Sequence, residues 1–264
     1  MVRQGFPAAF GVTSVQPDIS PVRLDEILAL RDQYRREMNC QIVHDSWHAR
    51  GFTQSYLFRM AGQVVGYGAL GNSQGAPRTI VKEFFVRPES RDDALPIFRR
   101  FLTVGGATTI EAQTNDDLLF HMLNQCAVAV SSDTILFSEG AVTRLEPPGV
   151  ILRPVTRRDR LRMFPHTLEP VGDWGLEADS RIVATGGLLF HYNPPYGDIY
   201  MEVAPPFRRK GCGSYLVQEL KRICREGGHL PAARTGQDNV ASQRTLQRAG
   251  MTPCGRIVTG RLAG

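Results

Sequence analysis

Hydrophobic and polar positions alternate along much of the chain. Ser55 to Met60 and Val64 to Leu70 read as two strands turning at Ala61-Gly62, and Thr79 to Val86 as the strand after them. Helical spacing marks about Val22 to Met38, Ala94 to Leu102 and Asp116 to Gln125, with extended stretches at Val12 to Val15, Thr108 to Ala112 and Thr134 to Phe137. The second half repeats the order. Val150 to Val155 reads as a strand and Thr156 as a helix cap, and Gly172 to Ala178 pairs with Arg181 to Tyr192 about Asp179-Ser180. Asp198 to Val203 alternates as a strand. Ser214 to Glu226 carries Leu216, Val217, Leu220 and Ile223 at helical spacing up to Gly227-Gly228. Ala232 to Thr235 is extended, Val240 to Ala249 helical, and Arg256 to Leu262 a last strand.

Two local matches suggest duplication. Val86-Arg87-Pro88 corresponds to Val203-Ala204-Pro205, and Asn115 before a helix corresponds to Asn239 before a helix. With the break at Glu146-Pro147-Pro148-Gly149, the pattern predicts two related domains, 1–146 and 147–264.

Composition changes this picture little. In 264 residues, 42% are hydrophobic and 22% charged, enough for a packed core. No apolar run is long enough for a membrane-spanning helix, and the first residues lack the apolar stretch of a secretory signal. Five scattered cysteines without a CxxC pair fit a reducing cytoplasm and give no zinc pattern. His44 and His48 lie four apart but lack the Glu of HExxH, so no metal is expected. Charge does change it. Residues 1–150 carry 14 basic and 16 acidic residues, whereas residues 151–264 carry 17 and 10, so the second half suits an anionic partner. Nucleic acid is disfavoured because no helix-turn-helix, RRM or zinc-finger pattern is present.

The chemistry concentrates in Val203-Ala-Pro-Pro-Phe-Arg208-Arg209-Lys210-Gly211-Cys212-Gly213-Ser214, where a strand passes through a basic, glycine-containing turn into an amphipathic helix. Helix-start amides without partners, beside three cations, form an anion site suited to a pyrophosphate. Neither a Walker A loop nor a GxGxxG fingerprint is present. Arg208-x-x-Gly211-x-Gly213 after V-x-P, followed by a helix, a short strand and Asn239-Val-Ala-Ser242-Gln-Arg-Thr-Leu246, resembles the GNAT superfamily of acyl-CoA-dependent N-acetyltransferases, from about Val150 to Leu262. The resemblance implies an α/β fold of two GNAT-like domains, each a mixed, mostly antiparallel sheet flanked by helices. It further implies that Arg208 to Ser214 hold the pyrophosphate of acetyl-CoA, that Met201 and Val203 meet the pantetheine and acetyl carbonyl, and that Asn239 and Ser242 lie along the pantetheine arm. The first half has Arg91-Asp92-Asp93-Ala94-Leu95-Pro96 at the turn, with both glycines replaced and two carboxylates where phosphates would sit. It is expected to be a degenerate copy that does not bind CoA. The tandem arrangement is similar to that of mycothiol synthases.

Amine acetylation needs a proton acceptor for the ammonium and a proton donor for the departing thiolate. On the strand before the turn, Asp198, Tyr200 and Glu202 share one face and Ile199, Met201 and Val203 the other. Glu202 is the first choice of base and Asp198 the second. The tyrosine that many relatives carry in the last helix is replaced by Leu246, which leaves Ser242, Tyr215 or a water as donor. Cys212 has no adjacent histidine to activate it and reads as a filler. His191-Tyr192-Asn193-Pro194-Pro195-Tyr196 precedes the strand and could wall an acceptor pocket. The expected activity is acetyl transfer from acetyl-CoA to the primary amine of a small molecule or peptide, by direct attack in a ternary complex, with a homodimer among the expected states. The rival is a non-catalytic acyl-CoA-binding or regulatory protein.

Overall fold

The computed structural model describes residues 16–263. In the first half, β1 (Asp18–Val22) is followed by a 3-10 turn (Leu24–Ile27), α1 (Leu28–Glu37) and α2 (Asp45–Ala49). Then come β2 (Thr53–Met60), β3 (Gln63–Gly71), β4 (Ile80–Val86), a 3-10 turn (Pro88–Asp93), α3 (Ala94–Gly105), β5 (Thr109–Gln113), α4 (Asp117–Cys126) and β6 (Ala127–Glu139). The second half contains β7 (Ile151–Pro154), α5 (Arg157–Arg160), β8 (Trp174–Ala178), β9 (Arg181–Leu189), β10 (Tyr196–Val203), α6 (Cys212–Glu226), β11 (Leu230–Gly236), α7 (Val240–Arg248) and β12 (Met251–Leu262).

The strand expected at Val12 to Val15 lies outside the described residues. The helix expected from Val22 begins as a 3-10 turn after β1, because Asp18–Val22 pairs along β2. The Ala61-Gly62 and Asp179-Ser180 turns both have two residues at positive φ, which suits the twist of a tight hairpin. Thr156 caps α5 with a reciprocal bond to Asp159. The strand foreseen at Thr134 to Phe137 runs over 13 residues, and the last strand starts at Met251 rather than Arg256.

The twelve strands of the described residues form one sheet, in the order β1-β2-β3-β4-β5-β12-β6-β11-β10-β9-β8-β7. The order is symmetric about its centre, as a duplication requires, but the last strands are exchanged. β12 lies between β5 and β6, and β6 lies between β12 and β11. Each half therefore completes its sheet with a strand from the other.

On one face, α3 and α4 cover a core of Phe84, Phe98, Phe101 and Leu123, and α6 and α7 cover one of Leu216, Val217, Leu220 and Leu246. On the other face, α1 packs on Tyr67 and Phe85. There the segment before α2 also reaches the second half. Gln41 Nε2 donates to the Ala233 carbonyl (2.9 Å), and the buried Asn193 accepts from the Val43 amide (3.1 Å) while donating to the Cys40 carbonyl (3.2 Å).

Candidate active site

β10 pairs with β11 in parallel only over Tyr196 to Asp198, facing Leu230 to Ala232. Beyond Asp198 it stays bonded to β9 alone, so a wedge opens between β10 and β11. A strand that leaves its neighbour exposes backbone donors and acceptors along the gap, where an extended ligand can bond. β10 runs against β9 without a register shift, so residues alternate as the sequence implies. Ile199, Met201 and Val203 pack with the α6 core, and Asp198, Tyr200 and Glu202 lie on the opposite face.

The turn that follows is held from within. Arg208 Nε donates to the Val203 carbonyl (3.0 Å), as Arg91 Nε does to the Val86 carbonyl in the first half (3.2 Å). Arg208 is thus partly a latch that folds the turn back on its strand. Arg209 (φ 61°) and Gly211 (φ 88°) both adopt left-handed backbone. A Cβ on Gly211 would meet only Arg248 Nη2, at 4.0 Å, so the space over it is open. Gly213 has a different reason to be small, since a Cβ there would lie 3.1 Å from Thr245 and 3.4 Å from Val203. Among the described residues, the amides of Gly211 to Ser214 find no acceptor, and the first amide to bond back is that of Tyr215, to the Gly211 carbonyl. Exposed Arg209 and Lys210 flank these amides, with Lys210 over the Phe207 ring. Open space, free amides and cations fit a phosphate group. Arg248 was not foreseen in this role, because only the packing of α7 brings it to the turn.

The two carboxylates on β10 differ. Glu202 accepts from the amides of Thr167 (3.2 Å), Leu168 (3.1 Å) and Glu169 (3.1 Å) and so fastens loop 166–169 over the strand. Burial opposes its charge, but the three amides outweigh burial and hold its carboxyl below the usual range. Asp198 is 4% exposed, and its Oδ1 has no partner. Its Oδ2 lies 3.6 Å from Arg234 Nε, too long for a hydrogen bond. Burial pushes its pKa up to about 7, against the pull of Arg234. Tyr200 lies across Gly187 of β9, and burial raises its hydroxyl pKa.

The remaining residues fall into place around these. Asn239 caps α7 by accepting from the Ser242 amide (3.0 Å), leaving its Nδ2 free of that bond. Its counterpart in the first half is Asp116, which caps α4 through the Leu119 amide, and not the neighbouring Asn115. Leu246 is buried in the core. Cys212 is buried, which raises its pKa and leaves it a poor nucleophile. Tyr215 stands on the first turns of α6, near Glu146 and Glu219. His48 bonds to Glu83 and Thr53, and His44 faces Glu111 at 3.5 Å. No cluster of three metal-binding side chains occurs among the described residues.

Arg234 was not singled out by the sequence, and its first-half counterpart shows why it matters. Arg234 and Glu111 each stand five residues before a helix cap. Asp198 is the last residue of β10 paired to β11, and Lys82 is the first of β4 past its pairing with β5. A register shift in β4 accompanies the change. In the first half Glu111, the counterpart of Arg234, bonds at 2.7 Å to Lys82, the residue at the register shift of β4, which is buried over the Trp47 ring. The charge at the Arg234 position is thus inverted in the first half, where Glu111 is already paired.

Residues 144–251 match the family model described as Acetyltransferase (GNAT) family. A GNAT-family acetyltransferase from Colwellia psychrerythraea superposes with a TM-score of 0.72 at 15% identity, over 93% of this chain and all of that one. A tandem GNAT protein from the clavulanic acid biosynthesis pathway superposes at 0.58 and 14% identity, over 94% and 99% of the two chains. A GCN5-related N-acetyltransferase from Sphaerobacter thermophilus gives 0.57 and 15%, over 93% and 95%. No curated protein matches the sequence. No helix among the described residues is long and apolar enough to cross a membrane. Residues 144–251 thus match the model of the GNAT acetyltransferase family, and the chain as a whole shares its fold with these three structures, one of them a tandem GNAT protein.

Proposed function

We propose that the second half binds acetyl-CoA and transfers its acetyl group to a primary amine, while the first half is a degenerate copy without a working site. The observation that carries this reading is Asp198, a buried carboxylate with an unpartnered oxygen where β10 and β11 separate, on the strand that leads into the open turn. Acetyl-CoA, when bound, supplies a thioester carbonyl to be attacked and a thiolate to leave. The amides of Gly211 to Ser214, with Arg209, Lys210 and Arg248, hold its pyrophosphate, and the unpaired edge of β10 at Met201 and Val203 bonds its arm, with Asn239 and Ser242 alongside. Asp198 takes the proton of the incoming ammonium, which a carboxylate with a pKa near 7 does at neutral pH. This reverses the preference for Glu202, whose oxygens are occupied by loop 166–169. Tyr200, Ser242 or a water returns a proton to the thiolate. Free thiols throughout the described chain suit a reducing cytoplasm.

Leu246 favours a second reading, a CoA-binding protein without turnover, since a buried leucine at that position has no proton to give. Calorimetric titration with acetyl-CoA, followed by an amine assay, separates the two. One site per chain, lost in Gly211→Asp, together with amine turnover is the expected result. Binding without turnover selects the second reading, and two sites per chain would overturn the degenerate first half.

A further inference from the structure

At the seam of the two halves lies a cleft of about 410 Å3, a volume that holds a small organic group. The second half lines it with Tyr192, Tyr196 and Phe190, whose ring lies tilted at 4.4 Å from that of His229. The first half closes it with Ser46 and Ala49 of α2. Its position relative to Asp198 follows from the strand. Tyr196 and Asp198 are successive residues on one face of β10, about 7 Å apart. Tyr192 borders the cleft, and its ring carries the Arg234 guanidinium at 4.8 Å, which in turn lies 3.6 Å from Asp198. Tyr192 and Arg234 thus link the cleft to the Asp198 carboxylate.

Charge narrows the occupant. The one carboxylate among the lining residues, Asp45, already accepts from Arg31 and from Arg35, each at 2.8 Å. No anion is left there to receive a second ammonium, and burying one unpaired is costly. Aromatic faces instead welcome a flat apolar group. We propose that the cleft seats the apolar, preferably aromatic, body of a monoamine whose amino group meets Asp198, and that the first half is retained as the wall of this subsite.

The proposal rests on the acetyltransfer reading, and its test separates the two. The whole chain is assayed with acetyl-CoA against 2-phenylethylamine, ethylamine and putrescine, alongside calorimetry with acetyl-CoA. The expected kcat/KM for 2-phenylethylamine exceeds that for putrescine at least about tenfold. In Ala49→Trp, and independently in Ser46→Phe, the preference for 2-phenylethylamine over ethylamine falls at least about fivefold, because either side chain fills the cleft from the first half. Ala49 is exposed, so its variant tests the cleft and not the core. Equal or better turnover of putrescine, or an unchanged preference in both variants, overturns the cleft assignment and leaves acetyltransfer standing. Binding of acetyl-CoA with no amine acetylated overturns acetyltransfer, and the cleft assignment falls with it.

Discussion

Asp198 and Glu202 stand four residues apart on one face of one strand, yet their surroundings give them opposite characters. Three amides keep Glu202 charged, whereas Asp198 is buried with a distant cation and a free oxygen. Activity should rise with pH through about 7 as Asp198 loses its proton. Asp198→Asn should lower kcat/KM by about 10^2 to 10^4 and remove that limb of the profile. Glu202→Gln should loosen loop 166–169 but keep the limb, and a profile that loses it in Glu202→Gln alone would return the base to Glu202. The same burial affects stability. The folded pKa of Asp198 lies above its ordinary value, so its contribution is fully present below about pH 4 and is lost as pH rises through 7. An asparagine cannot ionise. Urea melts should therefore show Asp198→Asn gaining on the wild type between pH 4 and pH 8, by up to a few kcal/mol, and a pH-independent difference would refute the argument.

Between elements, the first half depends on a buried ion network. Arg31 of α1, 2% exposed, donates Nε and Nη2 to Glu83 of β4 at 3.0 and 2.7 Å, and Tyr67 and His48 donate to the same carboxylate. Arg31 also holds Asp45, and through it α2, against the sheet. Glu83→Ala would leave a guanidinium buried without its main partner, at a cost of about 3–5 kcal/mol in a urea melt. A loss below 1 kcal/mol would mean that α2 is held by other contacts. Which elements could be read from sequence follows from the range of their contacts. The hairpins at Ala61-Gly62 and Asp179-Ser180 and the helix ending at Gly227-Gly228 are written in local pattern and turn chemistry. β6 is not, because Val128 and Val130 stay exposed along a strand whose partners lie far away in sequence, so no half-buried alternation marks its start. At the site, the basic turn and the two carboxylates were legible as a strand-to-helix motif. Arg234, Arg248 and the wall at Ser46 and Ala49 were not, since each reaches the site only through tertiary packing.

For the molecule as a whole, the exchanged strands decide how separable the halves are. A cut between residues 146 and 147 falls at the boundary that the Glu146-Pro147-Pro148-Gly149 stretch suggests, in a segment outside the strands. It nonetheless leaves each piece incomplete. Without 147–264, β6 loses β12 on one side and β11 on the other, and β5 loses its antiparallel neighbour. Without 1–146, β11 and β12 no longer share β6, and the Asn193 amide loses Cys40 and Val43. Unpaired strand edges of this length invite aggregation. The two pieces expressed separately should therefore be poorly soluble or lack a cooperative melt, whereas co-expression should recover a complex with a single transition, as in the intact chain. Far-UV circular dichroism with thermal melts decides it. A soluble, cooperatively melting 147–264 piece would show that the second half folds without its borrowed strand, and that the exchange merely joins two finished domains. The opposite result would explain why the first half stays with the chain: its last strand is part of the sheet that carries Asp198.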